Sequence, residues 1–247
     1  MHKPLLAIET TGTYCSVALV YDEHCFYRQS DRKRSHADEL LSTIDNLLNQ
    51  AELSLADCTG IAVNIGPGSF TGIRIGIAVA QGLSFGADIT TCAVSALQAM
   101  VLDASQRPSQ SQGSGNTDSD GCNSTTWVAL LHAREDEFYF AEYQLDNSGY
   151  PVLSGKETVI NEVTIAEWLE DRSGCADQQT VFVGEAWQRI PHPMITVTPT
   201  DVNAKTIAQV ARFKFAQKMT LEPTELVPSY LKDEMHYRTV NNDNQPA

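Results

Sequence analysis

Two short stretches carry the residue types that phosphate chemistry uses. The first is "GPGSFTGIRIG" (66–76), four glycines and a proline in eleven positions, directly after the apolar run "GIAVNI" (60–65). A strand, a glycine loop (Gly66, Pro67, Gly68, Ser69, Phe70, Thr71) and a helix start can present backbone N–H groups to a phosphate. The spacing fits neither familiar fingerprint. A Walker loop needs Lys after its last glycine, but Ile73 follows Gly72 and no lysine lies between 60 and 90. The dinucleotide pattern G-x-G-x-x-G fails because Gly72 comes one residue too late. The second stretch is "ETTGT" (9–13). A carboxylate at a strand end, then hydroxyls and a glycine in a turn, makes Glu9, Thr10, Thr11 and Gly12 a candidate vestigial nucleotide site.

Other chemistry is poorly supplied. Imidazoles at i and i+4 share a helix face and can hold a metal, but His36 is followed by Leu40. His2, His24, His132, His192 and His236 show no ligand spacing, so no metal is expected. The six cysteines (15, 25, 58, 92, 122, 175) include no C-x-x-C pair and read as reduced thiols. Ser69 lacks the G-x-S-x-G context of a nucleophile. No catalytic residue, peptidase activity or cofactor is expected. The net charge is −14, from 17 basic and 31 acidic residues, and only "RKRSH" (32–36) is locally basic. Nucleic-acid grips cluster Lys and Arg, so a role as the main grip on tRNA or DNA is not expected, and a basic protein partner is easier to accommodate. The apolar stretches are too short to cross a bilayer. The N-terminus meets Glu9 before an export signal could be completed. A cytoplasmic protein with no membrane association is expected.

The elements that must position these residues follow from periodicity. Strands are expected at 5–9, 15–21 and 24–30, then a helix over about 36–51 with Leu40, Leu41, Ile44, Leu47, Leu48 and Ala51 at helical spacing, Ser35 being its N-cap candidate. The strand at 60–65 leads through the glycine loop into a helix of about 71–85. A strand at 89–94 and a helix at 95–104 complete the first lobe. Residues 105–126 hold no aliphatic residue before the next strand and read as a flexible polar insertion or linker. The pattern then restarts with strands at 127–133, 137–145 and near 152–160, a helix at 164–172, a strand at 180–184 and a helix at 204–219. Two similar units, 1–104 and 127–239, with a disordered tail at 240–247, predict an α/β protein built from a duplicated unit.

The helix after the glycine loop is apolar or glycine over most of its circumference, more than a surface helix needs. Gly72, Gly76, Val79 and Leu83 form one stripe, Ile73, Ile77 and Ala80 a second, and Arg74, Ala78, Gln81 and Phe85 the polar one. Gly72 and Gly76 stand at small-x-x-x-small spacing, and each costs ~1 kcal/mol of helix propensity against alanine. Close approach of another helix would offset that cost. The expected partner interface is therefore Leu41, Gly72, Ile73, Arg74, Ile75, Gly76, Val79 and Leu83, and Gly76→Arg should abolish pairing while sparing the fold. Burial of both sides inside the chain is the alternative.

"GPGSFTGIRIG", with "LLAIETTGTYCSVAL" upstream and "SHADELLSTIDNLL" between them, closely resembles the TsaB (YeaZ) family; "HAREDEFYFAEY" (132–143) and "PSYLK" (228–232) add weaker matches. The resemblance implies an ASKHA fold, two RNase-H-like lobes related to actin, Hsp70 and sugar kinases. It implies a non-catalytic subunit that pairs with a TsaD-type transferase as a heterodimer in forming threonylcarbamoyladenosine in tRNA. A TsaE-type ATPase would join in a ternary complex, and the chain alone would form a homodimer. TsaD-type relatives hold a metal with H-x-x-x-H on the first helix, which His36 and Leu40 do not reproduce. The family commonly has Asp where His132 stands. "ETTGT" resembles the first phosphate loop of actin-like and sugar-kinase folds, which usually carry Asp in place of Glu9. The alternative reading is thus an ATP-dependent phosphotransferase of the same fold, binding ATP·Mg between the lobes through 9–13 and the second lobe's hairpin.

Overall fold

The computed structural model describes residues 3–31, 36–107, 125–173, 179–192 and 195–231. Ser35, the basic cluster at 32–34, the side chain of His36, most of the 105–126 insertion, Cys122, Cys175 and the tail at 240–247 lie outside the described residues.

The first five strands are β1 (Leu5–Glu9), β2 (Ser16–Tyr21), β3 (His24–Gln29), β4 (Gly60–Asn64) and β5 (Thr90–Val94), in the spatial order β3-β2-β1-β4-β5. The first three form an antiparallel meander, and β4 and β5 run parallel to β1. β1 and β4 are buried along their whole length, because helices cover both faces of the sheet; continuous apolar runs are what such strands require. β3 is the exposed edge. The second sheet holds β6 (Thr126–Arg134), β7 (Glu137–Leu145), β8 (Pro151–Asn161), β9 (Thr180–Val183) and β10 (Val197–Thr198), in the order β10-β9-β6-β7-β8. Its meander is antiparallel, and β9 and β10 run parallel to β6. Counted from its own first strand, it repeats the order and directions of the first. The duplicated α/β unit is therefore real, and the two RNase-H-like halves give the ASKHA architecture.

Among the described residues five helices cover the sheets. Helices α1 (His36–Gln50) and α2 (Phe70–Ala87) lie on one face of the first sheet, over a core that includes Leu6, Ile8, Leu40, Leu47, Ile61 and Val63. α4 (Glu162–Ser173) lies on the outer face of the second sheet, over Val128, Leu130 and Phe140. The remaining two helices are exchanged. α3 (Ala96–Ser105) follows the first sheet in sequence but packs Leu97, Met100 and Val101 against Ala129, Ala141 and Tyr143 of the second. α5 (Ala204–Ala216) follows the second sheet but buries Ile207, Val210 and Ala211 against Ala7, Ala18 and Ala62 of the first. α3 is apolar almost all round because it sits between layers. The expected boundaries 1–104 and 127–239 therefore follow the sequence but not the packing.

After α5 the chain straps back over the first lobe. Thr91 and Leu221 exchange backbone hydrogen bonds of 2.8 and 2.9 Å. The Gln81 side chain donates to the carbonyls of Pro223 and Leu226, both at 3.0 Å. Leu226 is buried in the core beneath α2, and Ser229 N–H donates to the Ile65 carbonyl. This strap, the two-residue β10 and the short 3-10 turns have no periodicity long enough to be read from sequence. Among the described residues no helix is long and apolar enough to cross a membrane.

Candidate functional site

β1 delivers Glu9 to the point where the meander turns. Its carboxyl group is buried and surrounded by donors. Oε1 accepts from Thr11 N at 2.5 Å, Thr11 Oγ1 at 2.7 Å and Gly12 N at 3.1 Å. Oε2 accepts from Asn64 Nδ2 at 2.5 Å. Asn64 ends β4, and its Oδ1 accepts the Gly66 N–H at 2.9 Å, which ties the glycine loop to the same cluster. Burial pushes the Glu9 carboxyl group above its ordinary range, and the bonds from Asn64, Thr11 and Gly12 partly oppose that shift. Asn64 was missed by sequence reasoning. Its signal is a lone amide closing an otherwise apolar strand, where a buried polar group must find partners.

The glycine loop continues this network. Ser69 N–H donates to the Thr11 carbonyl at 3.0 Å, and Ser69 caps α2 by accepting from Gly72 N at 3.3 Å. Gly66 holds φ at +107°, a conformation that side chains disfavour. Thr10 is turned away from the cleft, into α2. A Cβ on Gly72 would stand 1.9 Å from the Thr10 carbonyl oxygen, and one on Gly76 would stand 2.4 Å from Thr10 Oγ1. The Thr10 hydroxyl donates to the Gly72 carbonyl at 2.8 Å. The glycine pair therefore admits the chain's own Thr10, just past β1, not a partner helix. Gly72, Ile73 and Gly76 are buried in this chain, and Ile75, Val79 and Leu83 also pack on its core, half-buried. The partner contact expected of Gly72, Ile73 and Gly76 is corrected to the alternative, burial inside the chain, because the first sheet, α1 and the strap all pack against α2. Gly76→Arg would destroy the fold it was expected to spare.

The outward stripe of α2 is the one read as polar. Phe70, Arg74, Ala78, Gly82 and Gly86 follow at i+4 spacing and all are exposed, with Phe85 beside them at 79% exposure. The Arg74 guanidinium lies 3.7 Å over the Phe70 ring and donates to the Tyr230 hydroxyl at 3.2 and 3.1 Å, pinning the strap to the helix. Phe70 is 58% and Leu41, on α1, 56% exposed. Added Cβ atoms on Gly82 and Gly86 would meet nothing. The small residues open to a neighbour are thus Ala78, Gly82 and Gly86, one stripe away from the pair that spacing singled out.

Between the lobes lies a cleft of roughly 600 Å³, lined by Glu9, Thr11, Gly12, Pro67, Gly68 and Ser69 on one side and Leu131, His132, Tyr139 and Glu185 on the other. His132 Nε2 lies 3.1 Å from the Glu135 carbonyl oxygen, so its ring is engaged within its own hairpin. Burial pushes the thiols of Cys15, Cys58 and Cys92 up to about 12, 11 and 11, which leaves them protonated and unreactive.

Comparison with known proteins agrees with this geometry. Residues 30–234 match the family model described as "TsaD: tRNA N6-adenosine threonylcarbamoyltransferase". The chain is 31% identical to the tRNA threonylcarbamoyladenosine biosynthesis protein TsaB of Escherichia coli, over 95% of this chain and 96% of that one. It is 26% identical to the Bacillus subtilis protein of the same name, over 92% and 93%. The solved structure of YeaZ from Pseudomonas aeruginosa superposes with a TM-score of 0.75 at 29% identity, covering 93% of this chain and all of that one. With the duplicated lobes and the glycine loop in place, these similarities make the chain a member of the TsaB (YeaZ) family of tRNA threonylcarbamoyladenosine biosynthesis proteins.

Proposed function

We propose that this chain serves tRNA threonylcarbamoyladenosine biosynthesis as a non-catalytic subunit, docking a TsaD-type transferase on the outer face of α1 and α2. The observation that carries the reading is the exposed face itself. Leu41, Phe70, Ala78, Gly82, Phe85 and Gly86 are solvent-facing, with Val79 and Leu83 half-buried between them. Aromatic anchors beside small residues are what a helix-on-helix interface needs. The match to a transferase family model supports a partner of the same architecture, able to present equivalent helices. Arg74 and Tyr230 form the rim at the N-terminal end of α2. Of the expected contacts, Leu41, Arg74, Ile75, Val79 and Leu83 stay in the proposal, while Gly72, Ile73 and Gly76 act only by seating α2.

The partner takes the chemistry. The buried thiols of this chain are protonated, and the turn at 9–13 spends its Thr11 and Gly12 amides on Glu9. A TsaE-type ATPase joins as the third component, and tRNA is met through the partners, in keeping with a net charge of −14. Without a partner the same face pairs with its own copy, because an exposed apolar patch favours self-association. Light scattering on a sizing column, for the chain alone and mixed with a TsaD-type subunit, tests this. A one-to-one complex that displaces the homodimer is expected. Absence of any complex with a folded transferase would overturn the reading and return attention to the phosphotransferase alternative.

A further inference from the structure

We propose that the first-lobe turn is a phosphate-binding turn already filled by this chain's own Glu9 carboxyl group. The fold places a hairpin turn with free backbone N–H groups at the mouth of the cleft, the position in which a phosphate would be held. Here the Thr11 and Gly12 N–H groups are spent. Glu9 Oε1 takes the Thr11 amide, the Thr11 hydroxyl and the Gly12 amide, and Oε2 takes the Asn64 amide. Each of these hydrogen-bond partners is a donor, the same kind of group a phosphate oxygen would demand. The side chain's length makes this possible. Glutamate has one methylene more than aspartate, enough for the carboxyl group to fold back from the end of β1 over residues 11 and 12.

Displacing it would be costly in two loops at once. Asn64 also donates to Thr11 Oγ1 at 2.9 Å and accepts from Gly66 N, while the Thr11 carbonyl holds Ser69 N–H. Withdrawal of Glu9 would take the acceptor from the half-buried Thr11 amide and hydroxyl and from the Gly12 amide, and would cost the buried Asn64 amide the shorter of its two bonds. Among the described residues the rest of the cleft gives a polyanion no compensation: its lining carries Glu185 and Asp201 and no lysine or arginine. The opposing hairpin between β6 and β7 turns through Glu135 and Asp136, with no glycine loop. The nucleoside polyphosphate that the fold family implies therefore does not fit this turn, and the turn instead braces the loop that starts α2. This inference stands apart from the partner reading and survives its failure.

The test is a pyrophosphate and ATP·Mg titration followed by amide NMR, on the wild-type chain and on Glu9→Ala. In the wild type the Thr11 and Gly12 amides should exchange slowly with solvent, and millimolar pyrophosphate should leave them unmoved. In Glu9→Ala the same two resonances should shift saturably, with a gain of about tenfold or more in pyrophosphate affinity, the worth of one freed hydrogen bond to a charged group. If Glu9→Ala does not fold, the wild-type exchange and titration decide alone. Fast exchange at Thr11 and Gly12, saturable binding of either ligand at the wild-type turn, or a folded Glu9→Ala that gains nothing would overturn the proposal.

Discussion

The two lobes share one topology and close their outer faces differently. After β4 the first lobe inserts a glycine loop and the 18-residue α2. After β9 the second lobe inserts Gly184 and a single 3-10 turn, Glu185–Arg189. In both, a glycine lets the connection sit against backbone of the lobe's first strand or of the residue just past it. A Cβ on Gly72 would meet the Thr10 carbonyl oxygen at 1.9 Å, and one on Gly184 would meet the Leu130 carbonyl oxygen at 2.3 Å. The second lobe then seals itself with aromatics. Trp187 is fully buried, donates to the Val128 carbonyl at 3.1 Å and packs edge-on to Phe182 at 4.8 Å. The first lobe has no such plug; its helix keeps an exposed apolar stripe. The second lobe buries this connection in its own core, and the first leaves one stripe of it exposed, the face proposed to receive a neighbour.

The largest expected effect breaks the shared part of that comparison. Gly72→Ala and Gly184→Ala each force a methyl into backbone, and each should cost about 3 kcal/mol or more in a urea melt, since overpacking against main chain cannot be relieved by a rotamer change. If Gly72→Ala melted normally and lost only partner binding, the glycine pair would face the partner after all, and the packing of α2 on β1 would be wrong.

Next in size is the part the lobes do not share. Phe85→Glu and Leu41→Glu should each weaken the transferase complex by about thirtyfold, roughly 2 kcal/mol for a truncated anchor. Thermal stability should hardly change, because both side chains are exposed. Val163→Glu is the matched control. It is 66% exposed on α4 of the second lobe and should leave the affinity untouched. Equal losses from all three would mean that charge alone, not position, weakens the complex.

A third expectation concerns the turn that only the first lobe closes with a buried carboxyl group. Burial holds Glu9 above its ordinary value of 4.5. The folded chain therefore keeps this proton to higher pH than the unfolded chain does. The stability Glu9 contributes is full below about 4.5 and declines as pH rises through its folded value. Thermal melts of wild type and Glu9→Gln, paired across that window, should show the wild type losing ground to the variant as pH increases. A wild type that gained ground would mean that the four donors outweigh burial.

Much of this architecture was legible because its signals are local. The apolar runs of β1 and β4, the period of α1 and the restart at residue 127 each gave an element within a few residues of its place. The register of α2 was not legible. A helix apolar on three sides offers no amphipathic contrast to orient it, and Thr10, the residue that decides which glycines are buried, lies 62 positions away from Gly72. The exchange of α3 and α5 was hidden for a similar reason: each is apolar enough for either sheet. Glu9 drew notice as a departure from Asp, but its four donors come from a turn and a strand end that only the fold assembles.

The smallest effect is the most discriminating. Gly82 lies mid-helix on the exposed stripe, and an added Cβ meets nothing within 4 Å. In the isolated chain Gly82→Ala should add up to ~1 kcal/mol of helix propensity, raising Tm by about 2–4 °C for a chain of this size. If a partner helix lies across Ala78, Gly82 and Gly86, the same methyl should hold the two backbones apart and weaken the complex several-fold. Opposite signs from one methyl, stability up and affinity down, would place the partner backbone against this stripe. Both rising together would move the contact onto Phe85 and Leu41 and leave the small residues as mere solvent-facing helix.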